Sequence, residues 1–375
     1  MARYYAACTL GLEEVLATEL RDVGAGDVAV RRGACEFEGD LALGYRACLW
    51  LRSAVRVQQE LARGPARDRE ELYALVQTVD WSQSITHLQT LAVDGSVRDS
   101  WANDTRFPVL VTKDAICDQF RAANGQRPSV ERDRPDLPVK LVLLNDHAIV
   151  YRELGGEPLH KRGYRQIQHK SPLNEATAAG LLLLSDWDRR GPLVDPCCGS
   201  ATFLVEAAWI ATDRAPGLGR SFAFERWRDV DLDAWRTIYD DAEARAAAGA
   251  RHLPPLAGND RHPGALAIAR KALAAAELSD KVRLSHGDAR DWAAPFRPDV
   301  VVANPPYGER LHDNPERLAE NWRAIGDFLH GSGGKLAYVL CGDPDLARWL
   351  RLRSSRKHPV RNGPIECRWL RYELD

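Results

Sequence analysis

The sequence predicts an α/β fold: a doubly wound parallel sheet in the C-terminal half, behind a half in which strands and helices mix. Three observations predict it. From about residue 155 onward, strand-like and helix-like segments alternate regularly, as βαβ units require. Four successive strands of that half end in Asp195, Asp260, Asp288 and Asn304, at the position where an open α/β sheet places its ligand. Before residue 155 the rhythm is absent.

The elements follow in order. GLEEVLATELRDVG, Gly11 to Gly24, carries Leu12, Val15, Leu16 and Leu20 at the spacing of an amphipathic helix ended by glycine. VAVRRGACEFEG reads as a hairpin and LALGYRACLWLRSA as a second helix. A loop over ARGPARDRE, Ala62 to Glu70, separates this unit from the next. There DREELYALVQTVDW reads as a helix and HLQTLAVDGSV as a strand. RFPVLVTKDAICDQFRAANG reads as a strand or turn leading into a helix, and LPVKLVLLNDHAIVYREL as a closing hairpin.

The connector GGEPLHKRGYRQIQHKSP opens the regular half. Its strands are GPLVDP, LPPLAGND, KVRLSHGD, DVVVANPP and GKLAYVLCG, with helices TFLVEAAWIAT, HPGALAIARKALAAAEL, NPERLAENWRAIGDFLH and DPDLARWLRL between and after them. The final strand, ECRWLRYEL, follows after only a short segment and is expected at an antiparallel edge. DRAPGLGRSFAFERWRDVDLDAWRTIYDD reads as an insertion forming a lid or substrate surface.

Composition narrows the class. A chain of 375 residues holds two or three domains with full cores. It is 45% hydrophobic and 28% charged, as soluble globular proteins are. A formal net charge of −2 gives no global attraction to nucleic acid, but local patches remain. One comprises Arg348, Arg351, Arg353, Arg356, Lys357, Arg361, Arg368 and Arg371; another is HKRGYR, His160 to Arg165, with Arg162 and Arg165; both are expected to contact phosphates. The eight cysteines form no CxxC pair and no zinc-ligand spacing. They read as reduced thiols of a cytoplasmic protein, and no metal is expected. No apolar run is long enough to span a membrane, and MARYYAACTLGLEEVLATEL meets acids too early for a signal peptide.

The strand ends carry the chemistry. In LVDPCCGSATF, Asp195 ends the first strand and Gly199 lets the backbone pass close to a ligand. The stretch is not GxGxxG and lacks a P-loop lysine, so its carboxylate suits an ammonium group rather than a polyanion. Asp260 in GND stands where an acid accepts from ribose hydroxyls, and Asp288 in HGDARDW where one accepts from an adenine amine. A single acid after a strand is commonly a cap; the whole set matches the ammonium, ribose and adenine of S-adenosyl-L-methionine.

The fourth strand runs into VVANPPYGERL. Prolines cannot continue a sheet ladder. They leave Asn304 Oδ1 and the Pro305 carbonyl to accept both N–H bonds of an exocyclic base amine, with Tyr307 stacking on the base. These residues alone leave adenine-N6, cytosine-N4, guanine-N2 and protein glutamine open as methyl acceptors. No cysteine follows the prolines, so covalent attack is not indicated; Cys197 and Cys198 read as structural.

DPCCGSATFLVEAAWIATDRAPG and NPPYGERL resemble the RlmL-type bacterial ribosomal RNA guanine-N2 methyltransferases. HKRGYR with SPLNEATAAGLLL, GLEEVLATEL, VTKDAICDQFR and ERDRPDLPV resemble other parts of the same family, over nearly the whole chain. The resemblance implies a ferredoxin-like unit over 1–65, a THUMP RNA-binding domain over 66–155, a linker over 156–172 and a class I, Rossmann-like, seven-stranded methyltransferase domain over 173–375. It implies that Asp195, Gly199, Asp260 and Asp288 hold S-adenosyl-L-methionine, and that Asn304, Pro305 and Tyr307 hold the base. The implied substrate is ribosomal RNA. A tRNA guanine-N2 methyltransferase and a catalytically silent RNA-binding assembly factor are the alternatives. One departure stands out: the family reads GSGT where this chain has Gly199, Ser200, Ala201 and Thr202. A methyl group at Ala201 crowds the cofactor if that position takes a positive φ.

Overall fold

The computed structural model describes residues 1–165, 173–308 and 314–374. They form two compact units, one of 1–7, 17–159 and 219–240, the other of 8–16, 160–218 and 241–375. No described helix is long and apolar enough to cross a membrane.

The first part of the chain contains β1 (Ala2–Cys8), α1 (Glu13–Asp22), β2 (Val28–Arg31), β3 (Ala34–Gly39), α2 (Leu41–Trp50), β4 (Ala54–Pro65), α3 (Arg69–Gln77), β5 (Thr90–Arg98), α4 (Arg106–Asn124), β6 (Ser129–Val130), β7 (Leu137–Leu144) and β8 (His147–Glu153). One sheet takes all eight strands, in the order β2-β3-β1-β4-β8-β7-β5-β6. The loop expected from Ala62 is therefore corrected. Ala62 to Pro65 pair with Val150 to His147 beyond a bulge after Glu60, so β4 runs on as a strand shared by both halves of the sheet. The stretch from Arg106 does not open with a strand, because α4 begins at Arg106 itself; Pro108 lies in its first turn, where a missing N–H costs nothing. The hairpin of β7 and β8 turns on Asn145 and Asp146, both at positive φ, as a two-residue connection prefers.

The reading of the later stretch 213–241 as a lid is also corrected, because residues 219–240 belong to this first unit. Phe222, Phe224, Trp227 and Trp235 are buried, and the Phe224 ring stacks on Tyr45 at 4.4 Å. The Arg152 guanidinium lies 4.1 Å from the centre of the Trp227 ring and pairs with Asp229 at 2.7 Å. Side chains this apolar cannot remain on a solvated lid; the segment fills a core.

The rest of the chain adds α5 (Glu175–Leu183), β9 (Leu193–Asp195), α6 (Thr202–Ala211), α7 (Leu232–Gly249), β10 (Leu256–Asp260), α8 (Pro263–Ala275), β11 (Val282–His286), β12 (Val300–Ala303), α9 (Pro315–Gly331), β13 (Leu336–Cys341), α10 (Pro344–Ala347), β14 (Arg356–Asn362) and β15 (Ile365–Glu373). Its sheet has seven strands in the order β11-β10-β9-β12-β13-β15-β14. The first five are mutually parallel, and β15 is antiparallel to both β13 and β14. The last strand is thus antiparallel but not the edge. The edge is β14, RKHPVRN, which sequence reading passed over because it has charges and a proline instead of apolar alternation, as edge strands do.

Both faces of this sheet are covered, so its central strands read as continuous apolar runs. Successive side chains point to opposite faces. Val300 and Val302 join one apolar cluster with Leu204, Leu266 and Trp369; Val301 and Ala303 join another with Trp322, Phe328 and Leu346.

Candidate active site

The parallel sheet order makes β11, β10, β9 and β12 neighbours, so their carboxyl ends form one rim. Asp195 is the last residue of β9 and Asp260 the last of β10; Asp288 follows β11, and Asn304 follows β12 directly. The four polar residues that the sequence spreads over more than a hundred positions thus stand on adjacent strands. The reversal of strand order lies between β9 and β12, where such sheets open a crevice.

Backbone bonds shape the rim. The Gly199 N–H donates to Asp260 Oδ2 at 2.9 Å, and the His262 N–H donates to Asp260 Oδ1 at 2.8 Å. Each carboxylate oxygen keeps further lone-pair capacity. Gly199 has φ +54°, and a Cβ built there meets nothing within 4 Å, so it borders open space. Asp288 is half-buried and caps a short turn, its Oδ1 accepting from the Arg290 N–H at 3.0 Å. Capping and rim position coincide in Asp288.

Sequence reading missed Asn259. It is fully buried in β10, and its Nδ2 donates to the Gly287 carbonyl at 2.9 Å and the Pro196 carbonyl at 3.3 Å. One side chain therefore ties the loop after β9 to the loop after β11. The signal was available: an amide in an otherwise apolar strand is costly unless it is bonded.

Asp195 is 2% exposed. Burial pushes its carboxyl up to about 8, and the neighbouring Asp260 charge adds to the shift; the Cys197 N–H, donating to Asp195 Oδ1 at 3.0 Å, opposes it. A carboxyl in this state gains from a cation that enters beside it. Burial likewise pushes the Cys197 and Cys198 thiols well up. The Asn304 backbone N–H opposes the shift at Cys197.

Asn304 Oδ1 is buried and has no hydrogen-bond partner among the described residues, and the same holds for Asn259 Oδ1. Pro305 is buried and Pro306 exposed. The Trp322 indole N–H, from α9, donates to the Pro306 carbonyl at 2.8 Å. Tyr307 is half-buried, and its hydroxyl accepts from Asn362 Nδ2 at 2.5 Å. Glu309 to Leu311 of the same motif lie outside the described residues.

Ala201 does take a positive φ, 64°. Its methyl is fully buried in the apolar cluster that holds Leu204 and Cys198. A left-handed alanine costs about 1–2 kcal/mol, and burying a methyl returns about 0.8 kcal/mol, so packing offsets much of the strain.

The expectation that Arg162 and Arg165 reach out to phosphates is corrected. The Arg162 side chain is fully buried against Glu206 of α6, and Tyr164 Oη donates to the same carboxylate at 2.7 Å. Arg165, its side chain only 11% exposed, pairs with Glu175 at 3.3 Å and donates to Thr202 Oγ1 at 2.6 Å. A lone acid in an apolar helix has to recruit a buried cation, and HKRGYR supplies it. In the C-terminal basic patch, Arg371 pairs with Asp186 at 2.7 Å and Glu373 at 2.6 Å, and Arg351 with Asp327, so part of its charge is neutralised.

Among the described residues no cluster of His, Cys, Asp or Glu is arranged to hold a metal ion.

Comparison with known proteins agrees with this architecture. Residues 3–58 match the RlmL ferredoxin-like domain, residues 66–153 the THUMP domain, and residues 162–371 the RMKL-like methyltransferase domain. Two curated relatives are named ribosomal RNA large subunit methyltransferase K/L. The one from Syntrophotalea carbinolica is 39% identical over 99% of this chain and 53% of its own length. The one from Methylococcus capsulatus is 40% identical over 99% of this chain and 51% of its own. The chain thus spans about half the length of these relatives. Among solved structures, SMU.472 complexed with SAH superposes with a TM-score of 0.89 at 30% identity, covering 100% of this chain and 98% of that one. TrmN from Thermus thermophilus, at 21% identity and a TM-score of 0.73 over 100% of both chains, shares the fold. The chain belongs to the RMKL-like methyltransferase family, with an RlmL-type ferredoxin-like domain and a THUMP domain ahead of its class I methyltransferase domain.

Proposed function

We propose that this chain is a cytoplasmic S-adenosyl-L-methionine-dependent methyltransferase that modifies a guanine exocyclic N2 amine in large-subunit ribosomal RNA. The observation that carries the amine-directed reading is Asn304 Oδ1, buried and without a partner among the described residues, one strand away from the buried Asp195. The K/L names of the relatives support ribosomal RNA as the substrate, and the THUMP match supports RNA binding. The SAH complex of SMU.472 supports the cofactor.

The residues present fit that cofactor. Asp195 offers a carboxylate to an ammonium, Gly199 opens space for close backbone approach, Asp260 has lone pairs left for ribose hydroxyls, and Asp288 suits the adenine amine. When bound, S-adenosyl-L-methionine supplies an electrophilic methyl group. The chain's task is then to present an amine whose lone pair is normally delocalised into its ring. Asn304 Oδ1 and the Pro305 carbonyl accept the two N–H bonds and favour the pyramidal nitrogen. Their dipoles are fixed in advance and act most strongly as positive charge grows there. Holding amine and methyl in line contributes through alignment. Stacking on Tyr307 contributes roughly 1–3 kcal/mol, the range for aromatic platforms, and a paired guanine has to leave its duplex first.

Nucleoside mass spectrometry of separated ribosomal and transfer RNA from a strain lacking the gene tests the reading. Loss of N2-methylguanosine from large-subunit RNA is expected. Loss from tRNA would move the substrate and keep the chemistry. No loss from either, with no S-adenosyl-L-methionine binding by calorimetry, would leave a silent RNA-binding factor.

A further inference from the structure

Tyr307 is held from two strands that sequence reading did not connect with the NPPY motif. Because β15 is antiparallel to both β13 and β14, β14 runs in the same direction as β13, and its last residue, Asn362, ends at the same rim as Asn304. There Asn362 Nδ2 donates to Tyr307 Oη at 2.5 Å. Gly342 follows β13 at that rim. A Cβ built on Gly342 would lie 2.6 Å from Tyr307 Cδ2, 2.9 Å from Cε2 and 3.0 Å from Cγ. Gly342 is not among the glycines with positive φ, so its backbone does not demand glycine; the ring does.

We infer that Asn362 and Gly342 are positioning residues that lock the Tyr307 ring as a preformed platform for the target base, one bonding its hydroxyl and the other admitting its edge. The inference rests on the reading of NPPY as the amine-gripping motif. A tyrosine free to rotate pays for ordering when the base arrives; a ring fixed at its far end and along one edge has lost that freedom already. The hydroxyl's bond to Asn362 also points to a tyrosine that acts through its ring and not as an acid or base.

The test is a double-mutant cycle in the full chain, with steady-state methylation of unmodified large-subunit ribosomal RNA. Asn362→Ala and Tyr307→Phe should each lower kcat/KM for RNA by roughly three- to tenfold, the worth of one hydrogen bond. The double variant should lose no more than either single one. S-adenosyl-L-methionine affinity by calorimetry should stay unchanged. Asn362→Asp, which lets the tyrosine hydroxyl donate instead, should recover most of the loss, and Gly342→Ala should reproduce the defect without touching the hydrogen bond's partners. Additive losses, or Asn362→Ala turning over like the wild type while Asn304→Ala is inactive, would overturn the inference. An active Asn304→Ala would instead defeat the amine-gripping reading, whatever Asn362 does. A spectroscopic measurement stands apart from turnover: the Asn362 side-chain amide resonances should shift on Tyr307→Phe, and unmoved resonances would show that the bond does not form.

Discussion

The indole of Trp322, fully buried on α9, donates its N–H to the carbonyl of Pro306 at 2.8 Å. A helix from one face of the sheet thereby fixes the middle of the NPPY motif, whose prolines have no N–H of their own to anchor it. Trp322→Phe keeps an aromatic ring and removes the donor. Turnover should fall about three- to tenfold, the consequence of one lost hydrogen bond at a positioning contact. Pro306 is exposed, so water can satisfy its freed carbonyl, and cofactor affinity by calorimetry should hold within about twofold, far less than one such bond.

Asn304→Ala separates catalysis from stability. Removing a preorganised dipole from a reacting centre costs on the order of 100-fold or more in turnover. The amide oxygen it deletes is buried and has no partner among the described residues. Deleting such a group relieves a desolvation penalty, so unfolding free energy should stay level or rise by up to about 1 kcal/mol. Denaturant unfolding beside single-turnover kinetics checks both; full activity would remove Asn304 from the mechanism.

Asp195 makes cofactor binding pH-dependent. Burial raises its carboxyl to about 8 in the folded chain, so near neutrality it carries a proton that an incoming ammonium displaces. S-adenosyl-L-methionine affinity should therefore climb from pH 6 toward about 8 and level off above it, with proton release visible as buffer-dependent calorimetric heat. For folding the sign is opposite. A raised folded-state value means that the contribution of this group is fully present below the unfolded value, near 3.9, and is lost as pH rises through about 8. Asp195→Asn should flatten both profiles and weaken the cofactor.

Arg162 and Glu206 form a fully buried pair. Arg162→Met strands the carboxylate and should destabilise the chain by about 3–5 kcal/mol, whereas Arg162→Met with Glu206→Leu should recover most of that loss. Chemical denaturation gives the comparison. The salt slope of RNA binding should be unchanged in the double variant, because a side chain with no exposure cannot release counterions.

Local pattern determined much of this protein. Unbroken apolar runs identified the central strands β12 and β13, VVVA and LAYVLC, since a strand covered on both faces leaves no room for polar alternation. Asp195, Asp260, Asp288 and Asn304 were legible as strand-end residues because each stands at or just after the close of a strand, where the sheet gives way to its rim. Glu206 inside TFLVEAAWIAT was passed over, although a charge in an apolar helix needs a partner. Only the tertiary structure decided which partner. Arg162 looked solvated because burial is a property of the whole packing and a basic hexapeptide carries no local sign of it. β14 went unseen because an edge strand is stabilised through its ladder and not through apolar alternation. The aromatic residues of 219–240 read as a lid or substrate surface, because the core they enter is built by segments far away in sequence. Asn362 and Gly342 reach Tyr307 only through the antiparallel return of β15, a pairing between segments far apart in sequence that no short stretch of the chain encodes.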